Sequence, residues 1–462
     1  MKKVICYLDF FSCVVLLCSC GDHGVSAVSQ PIVNNPVVNT NAIFVSPTGN
    51  DHNKGTIDSP IASFAHAQDI ASPGDTVYFR GGTYKVNTYT DIQESLYACI
   101  FDLTKSGTES KPICYFGYPG ERPVFDFSNV KPVGYRVAGF YIHADYLHLK
   151  NFDVIGTQVT ITTHTQSEGV TIRRGNHDNV IEDIAVHDGM GIGFYVTKGS
   201  NNLFLNCDAY NNYDCVSEGG IGGNTDGFGC HVRAEDTGNV FRGCRAWCNS
   251  DDGYDCINNY ASVVFDHCWS FYNGYKNFSN LSEGDGNGFK GGGYGLRALP
   301  AEIKAPVNTI ENCIAYHNKA NGFYANHHLN GDDWYNNTAC YNKYNFCMVN
   351  QKSWDDAVDV DGYDHVLVNN IALSGVKGNF TQIDQTKCTI VNNSFLPYDY
   401  SPSSGDFENT TDYQQLTGPR KADGSLPDLT FLLLKKSSPL YNKQMGYQFD
   451  FKSTDYAKGI LP

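Results

Sequence analysis

The chain has 462 residues and a formal net charge of −16, with 33 Lys and Arg against 49 Asp and Glu. Hydrophobic residues make up 41% and charged residues 18%, which excludes a disordered chain, and the acidic balance argues against a nucleic-acid binder, which needs a basic face. An acidic ligand stays open if a cation sits between the two.

Residues 1–20 read as a secretion signal. Met1-Lys2-Lys3 is a positive start and Val14-Val15-Leu16-Leu17 an apolar core. Leu17-Cys18-Ser19-Cys20 resembles a bacterial lipobox, so the expected product is an exported lipoprotein lipidated at Cys20, held to a periplasmic or outer-membrane surface by that anchor alone. No later apolar run reaches the roughly 20 residues that span a bilayer. Residues 21–41 are polar, contain Pro31 and Pro36, and read as a tether. Of 17 cysteines, Cys6, Cys13, Cys18 and Cys20 belong to this leader. Thirteen remain, an odd number that cannot all pair.

Residues 42–400 read as one folded domain. At its start, Ile61, Phe64, Ala65 and Ile70 lie on helical spacing before the strand-like Val77-Tyr78-Phe79, which predicts a short helix capping the first coil. A seven-residue pattern follows. It reads Glu182–Asp188, Asn206–Asn212, Gly243–Asn249, His267–Asn273, Asn312–Asn318 and Asn336–Asn342, with a weaker copy from Asn369. Its central small residue falls at Ala185, Ala209, Ala246, Ser270, Ala315, Ala339 and Ala372, in steps of 24, 37, 24, 45, 24 and 33. A second register begins at Gly193, Gly227, Gly253, Gly288 and Gly322, each before an aromatic residue. Short strand-like pieces, a period in the twenties and little helical periodicity predict an all-β, right-handed parallel β-helix. Cys207, Cys244, Cys268 and Cys313 share one register and read as a buried column of small side chains, with a disulfide ladder as the alternative. Asp188, Asn212, Asn249, Asn273, Asn318 and Asn342 share another, where stacked amides can hydrogen-bond from coil to coil. Residues 401–462 lack the repeat and read as a cap or a tail packed along the coils.

Chemistry-bearing residues gather in the second register. Asp226, Asp252 and Asn287 each precede the aligned glycine, and Asp255 and Lys290 each sit two residues after it. Coils stack about 4.8 Å apart, so these side chains should crowd one patch with Asp251. Four carboxylates there repel one another unless a hard cation joins them, and all-oxygen ligands favour Ca²⁺. A single Asp of this kind more often caps a turn. A lysine beside carboxylates is more often an ion-pair partner, but near a bound cation it is also a candidate proton acceptor.

These residues resemble the site of polysaccharide lyase family 9, the pectate and rhamnogalacturonan lyases, over roughly 43–400 and most strongly over 224–293. The resemblance implies a right-handed parallel β-helix with an Asn ladder, Ca²⁺ held by Asp226, Asp251, Asp252 and Asp255, and Lys290 as base. It implies a monomeric enzyme that cleaves an acidic plant polysaccharide, homogalacturonan or rhamnogalacturonan, by β-elimination. Arg233, Lys276, Asn287 and Arg297 are candidate substrate contacts, with Lys304 beside them. Two other classes stay open: an inverting hydrolase of the polygalacturonase type, whose Gly-His-Gly and Arg-x-Lys motifs are not found at suitable places, and a non-catalytic carbohydrate-binding β-helix, which a core-facing Lys290 would favour.

Overall fold

The computed structural model describes residues 42–397 and 400–447. Cys20, the leader and the tether lie outside the described residues, as do 398–399 and 448–462. Among the described residues, no helix is long and apolar enough to cross a membrane.

The chain winds as a parallel β-helix. Each coil contributes a strand to an 11-stranded sheet and further strands to a 20-stranded sheet. The larger sheet is two faces fused, because the long strands Leu147–Ile155 and Val180–His187 run through both. In the smaller sheet the strands Ile192–Val196, Phe228–Cys230, Tyr254–Asp255, Phe289–Lys290, Phe323–Tyr324 and Tyr344–Cys347 pair in parallel, coil after coil. The register aligns Phe194, Phe228, Tyr254, Phe289, Phe323 and Phe346. Their rings stack inside the coils, 4.9 Å apart for Phe194–Phe228 and 4.6 Å for Tyr254–Phe289. Fully burying each contributes on the order of 1.5–3 kcal/mol.

The two sequence registers meet across the interior. A Cβ on Gly193 would come within 2.8 Å of the Ala209 Cβ, one on Gly227 within 2.8 Å of the Ala246 Cβ, and one on Gly253 within 2.2 Å of the Ser270 hydroxyl. The glycines and the small residues are thus one packing requirement seen from two faces of the coil.

Asn212, Asn249, Asn273, Asn318 and Asn342 are buried and form the expected ladder, each amide bonding to the next at 3.0–3.1 Å. The first repeat slips by one residue. Val186, not Ala185, pairs with Ala209, and Gly189, not Asp188, stands at the ladder position, its N–H donating to Asn212. Asp183, at a left-handed φ of +49°, is the equivalent of Asn206, Gly243 and His267 at +56°, +62° and +52°, so the first copy of the repeat runs over 183–189. Cys207, Cys244, Cys268 and Cys313 are buried free thiols, so the column is apolar packing and not a disulfide ladder.

Ser63 caps the helix Phe64–Ile70 by accepting a hydrogen bond from the His66 N–H. Phe64 packs on Phe79, Phe101 and Phe140 at the first coils, as a capping helix should. Over residues 400–447 the chain lies along the outer face of the larger sheet, where Leu416, Phe431 and Leu440 join Trp269, Phe271 and Tyr316. Arg420 and Arg245 share Asp208 at 2.6 and 2.7 Å and fix that segment.

Candidate active site

The aligned glycines turn the chain into the smaller sheet, and the residues just before and after them form one outer patch. Asp226, Asp252, Asn287 and Asn321 occupy the same position on successive coils. Each side-chain oxygen accepts from the next coil's backbone N–H: Asp226 from Asp252 at 3.1 Å, Asp252 from Asn287 at 2.6 Å, and Asn287 from Asn321 at 3.1 Å. The column is therefore a ladder whose first two rungs are carboxyl groups and whose next two are amides.

The turn-capping role does not exhaust these carboxylates. Asp252 is fully buried, and its Oδ2 accepts no hydrogen bond although it lies 3.1 Å from the Lys290 ammonium. Asp251 accepts from the N–H groups of Asn224 at 2.7 Å and Asp285 at 3.1 Å, which aims it at the same point. One oxygen each of Asp226, Asp251 and Asp252 lies within 4.8 Å of the others. Burial first, then Asp251, Asp255 and Asp252, push the Asp226 carboxyl well above the carboxylate range. Burial and then Asp252 push Asp251 up to about 7. Three mutually repelling, all-oxygen ligands and one orphaned buried oxygen fit a hard divalent cation.

Asp255 is placed differently from the other three. It stands outside that group of ligand atoms and faces Lys290, its Oδ2 3.2 Å from the ammonium, while its Oδ1 accepts from the Ile257 N–H. Lys290 points outward, 14% exposed, and not into the core. Burial disfavours its charge, but Asp255, Asp252, Asp251 and Asp226 overcome that and hold its pKa well above the ordinary lysine value.

Beside Lys290 opens a cleft of about 600 Å³, lined by Asp285, Asn287, Lys319, Asn321, Tyr324, His327 and Lys343 among others. Of the expected contacts, Asn287 lies in it. Arg297 is near its rim, next to Leu296, and donates to Asn258 at 3.0 Å. Arg233 is paired with Asp236 and Glu235 on a turn, and the Lys276 ammonium lies 5.8 Å from the Tyr213 ring in a separate pocket. Neither lines the cleft. Tyr324, His327, Lys319 and Lys343 were not foreseen. For Tyr324 a signal existed: it sits two residues after Gly322, as Lys290 does after Gly288.

Comparison with known proteins agrees with this fold. Residues 43–370 match the family model described as Pel9A-like, right handed beta helix region. The chain is 31% identical over 459 residues to pectate lyase L of Dickeya chrysanthemi, covering 96% of this chain and 95% of that protein. It is 30% identical to pectate lyase PEL9 of Emericella nidulans, over 90% of this chain and 97% of that one. Among solved structures, a rhamnogalacturonan lyase superposes with a TM-score of 0.83 and 44% identity over 88% of this chain and 99% of its own. Pectate lyase Pel9A superposes with a TM-score of 0.67 and 28% identity, over 86% and 90%.

Proposed function

The chain belongs to the Pel9A-like right-handed β-helix family and is a polysaccharide lyase, and from that premise we propose that it cleaves a galacturonate-containing pectin backbone with Lys290 as base and Ca²⁺ as cofactor. The observation that carries the reading is the lysine set against a cluster of buried carboxylates in an open cleft. Asp226, Asp251 and Asp252 would hold the cation, with Asp255 beside them. Bound there, Ca²⁺ would neutralise the uronate carboxylate and acidify the proton on carbon 5.

Lys290 supplies the acceptor. Its Nζ is held by Asp252 and Asp255 at 3.1 and 3.2 Å, so its position is fixed before substrate arrives. It acts only when neutral. A cation that compensates Asp252, Asp251 and Asp226 would remove their share of the stabilisation and leave Asp255, which would lower the Lys290 pKa. The carbon 5 proton passes to Nζ, its electron pair forms the double bond to carbon 4, and the bond to the oxygen on carbon 4 breaks. No water is consumed. Of the two candidate polymers, rhamnogalacturonan is favoured by the greater likeness to the rhamnogalacturonan lyase.

Each polymer digested in heavy-oxygen water tests the reaction class. Products whose new ends carry no heavy oxygen and an unsaturated terminal sugar are expected. Heavy oxygen at the new ends would make the enzyme a hydrolase.

A further inference from the structure

The cleft holds a hydrogen-bonded chain that the proton abstraction leaves unused. The Tyr324 hydroxyl lies 2.9 Å from His327 Nε2, and His327 Nδ1 lies 2.6 Å from Asp359 Oδ1. Tyr324 is the direct parallel-strand partner of Lys290 on the next coil, and both line the same cleft. Resting on the lyase reading above, we propose that Tyr324 is the proton donor to the leaving oxygen and that His327 and Asp359 position it.

Direction decides which neighbour of Lys290 can do this. The carboxylate cluster lies on the coils before Lys290, and Tyr324 on the coil after it. Carbon 5 is tetrahedral. With its hydrogen at Nζ and its carboxylate toward the cluster, its two ring bonds, including that to carbon 4, point away from the cluster toward the Tyr324 coil. A sugar oxygen that departs unprotonated is a poor leaving group, so a donor on that side lowers the barrier.

The arrangement is prepared for it. Asn326 and His327 both hold left-handed φ angles, +56° and +57°, and the Asn326 amide fixes this turn by donating to the Gly292 carbonyl at 2.5 Å. Asp359 comes from the hairpin of Asn350–Ser353 with Asp356–Val360, an insertion outside the coils. That hairpin is already anchored elsewhere, through the Gln351 amide donating to the Arg297 carbonyl and the Leu299 N–H donating to the Trp354 carbonyl. The His327–Asp359 contact is thus not needed to hold it. With its Nδ1–H donating to Asp359, His327 accepts at Nε2 from the Tyr324 hydroxyl and holds the phenol at the cleft. As the bond from carbon 4 breaks, the hydroxyl turns to the leaving oxygen and gives it its hydrogen. Lys290 has gained the proton from carbon 5 and Tyr324 has lost one, so return of one proton from Lys290 to the phenolic oxygen, directly or through water, resets the site.

Tyr324→Phe, His327→Gln and Asp359→Asn in the full-length calcium-loaded enzyme test it. The expected result for Tyr324→Phe is a kcat about a hundred- to ten-thousand-fold lower, with KM within a few-fold and an unchanged melting midpoint. His327→Gln and Asp359→Asn should lower kcat by smaller factors in that order. Calorimetric binding of a rhamnogalacturonan oligosaccharide should be the same for Lys290→Ala and for Lys290→Ala combined with Tyr324→Phe. A Tyr324→Phe enzyme that keeps its kcat, or loses only KM, overturns the proposal while the lyase reading stands. Wild-type protein that forms no unsaturated product overturns both.

Discussion

Lys290 is held by two carboxylates and carries the account at the scale of single residues. A structural ion pair would accept Arg, which keeps the charge; a base would not, because Arg stays protonated throughout the usable range. Lys290→Arg should therefore abolish turnover while leaving the far-ultraviolet circular dichroism and Ca²⁺ binding intact, and more than a few per cent residual activity would remove Lys290 from the mechanism. Asp251 gives a second test. Its carboxyl is raised to about 7, through burial and then Asp252, so in the cation-free protein it is protonated below that pH and charged above it. The sign follows: this group favours the cation-free fold below the unfolded carboxylate pKa of about 4, and that contribution is lost as pH rises through 7. Added Ca²⁺ should restore the melting midpoint more at pH 8 than at pH 5, and calorimetry at pH 6 should show protons released on binding. Equal Ca²⁺ affinity at both pH values would contradict it. The acidic cluster and the lysine are legible in the sequence because the glycine register puts them in line. Asp255 facing Lys290 is not, since a shared register fixes a strand position and not where a side chain turns.

Among the elements, the ladder and the stacked rings explain why the coils keep register. Asn273 is fully buried and bonded on both sides: its amide donates to the Ala246 carbonyl at 3.1 Å and to Asn318 at 3.0 Å, and its oxygen accepts from the Asn249 N–H at 3.1 Å. Asn273→Ala leaves buried backbone groups unpaired, at about 1–3 kcal/mol for each. Urea unfolding should register that loss, and a variant as stable as the parent would show the ladder to be incidental. The spacing of Asn and Cys made most of this column readable before the fold was known. It failed at the first repeat, where Ala185 and Asp188 mimic the pattern one residue early, while the left-handed residue that opens each later copy, such as Asn206, Gly243 or His267, is Asp183 there. Tyr324 shares the register of Lys290, but His327 and its partner Asp359 carry no such signal. The hairpin that brings Asp359 to His327 lies outside the repeat, so no period announces it.

On the scale of the whole molecule, a chain of net charge −16 must draw an acidic polymer into a cleft that opens beside its own carboxylates. Uncompensated, the charges of Asp226, Asp251 and Asp252 would repel a uronate. With the proposed cation compensating them, they would become the attachment point, and Lys319 and Lys343 on the cleft wall add positive charge beyond it. The stacked coils supply the rest, since they set the carboxyl cluster, the proposed base and the proposed proton donor on successive coils along a groove suited to an extended chain. Fold and catalysis therefore rest on the same repeat. The most direct test of this account is the ultraviolet absorbance of the unsaturated sugar as purified protein acts on a rhamnogalacturonan backbone, recorded with Ca²⁺, after chelation, and after Ca²⁺ is restored. The account predicts a rise, its collapse and its return. Absorbance that climbs undiminished under extensive chelation, or cleavage with no absorbance at all, would contradict it.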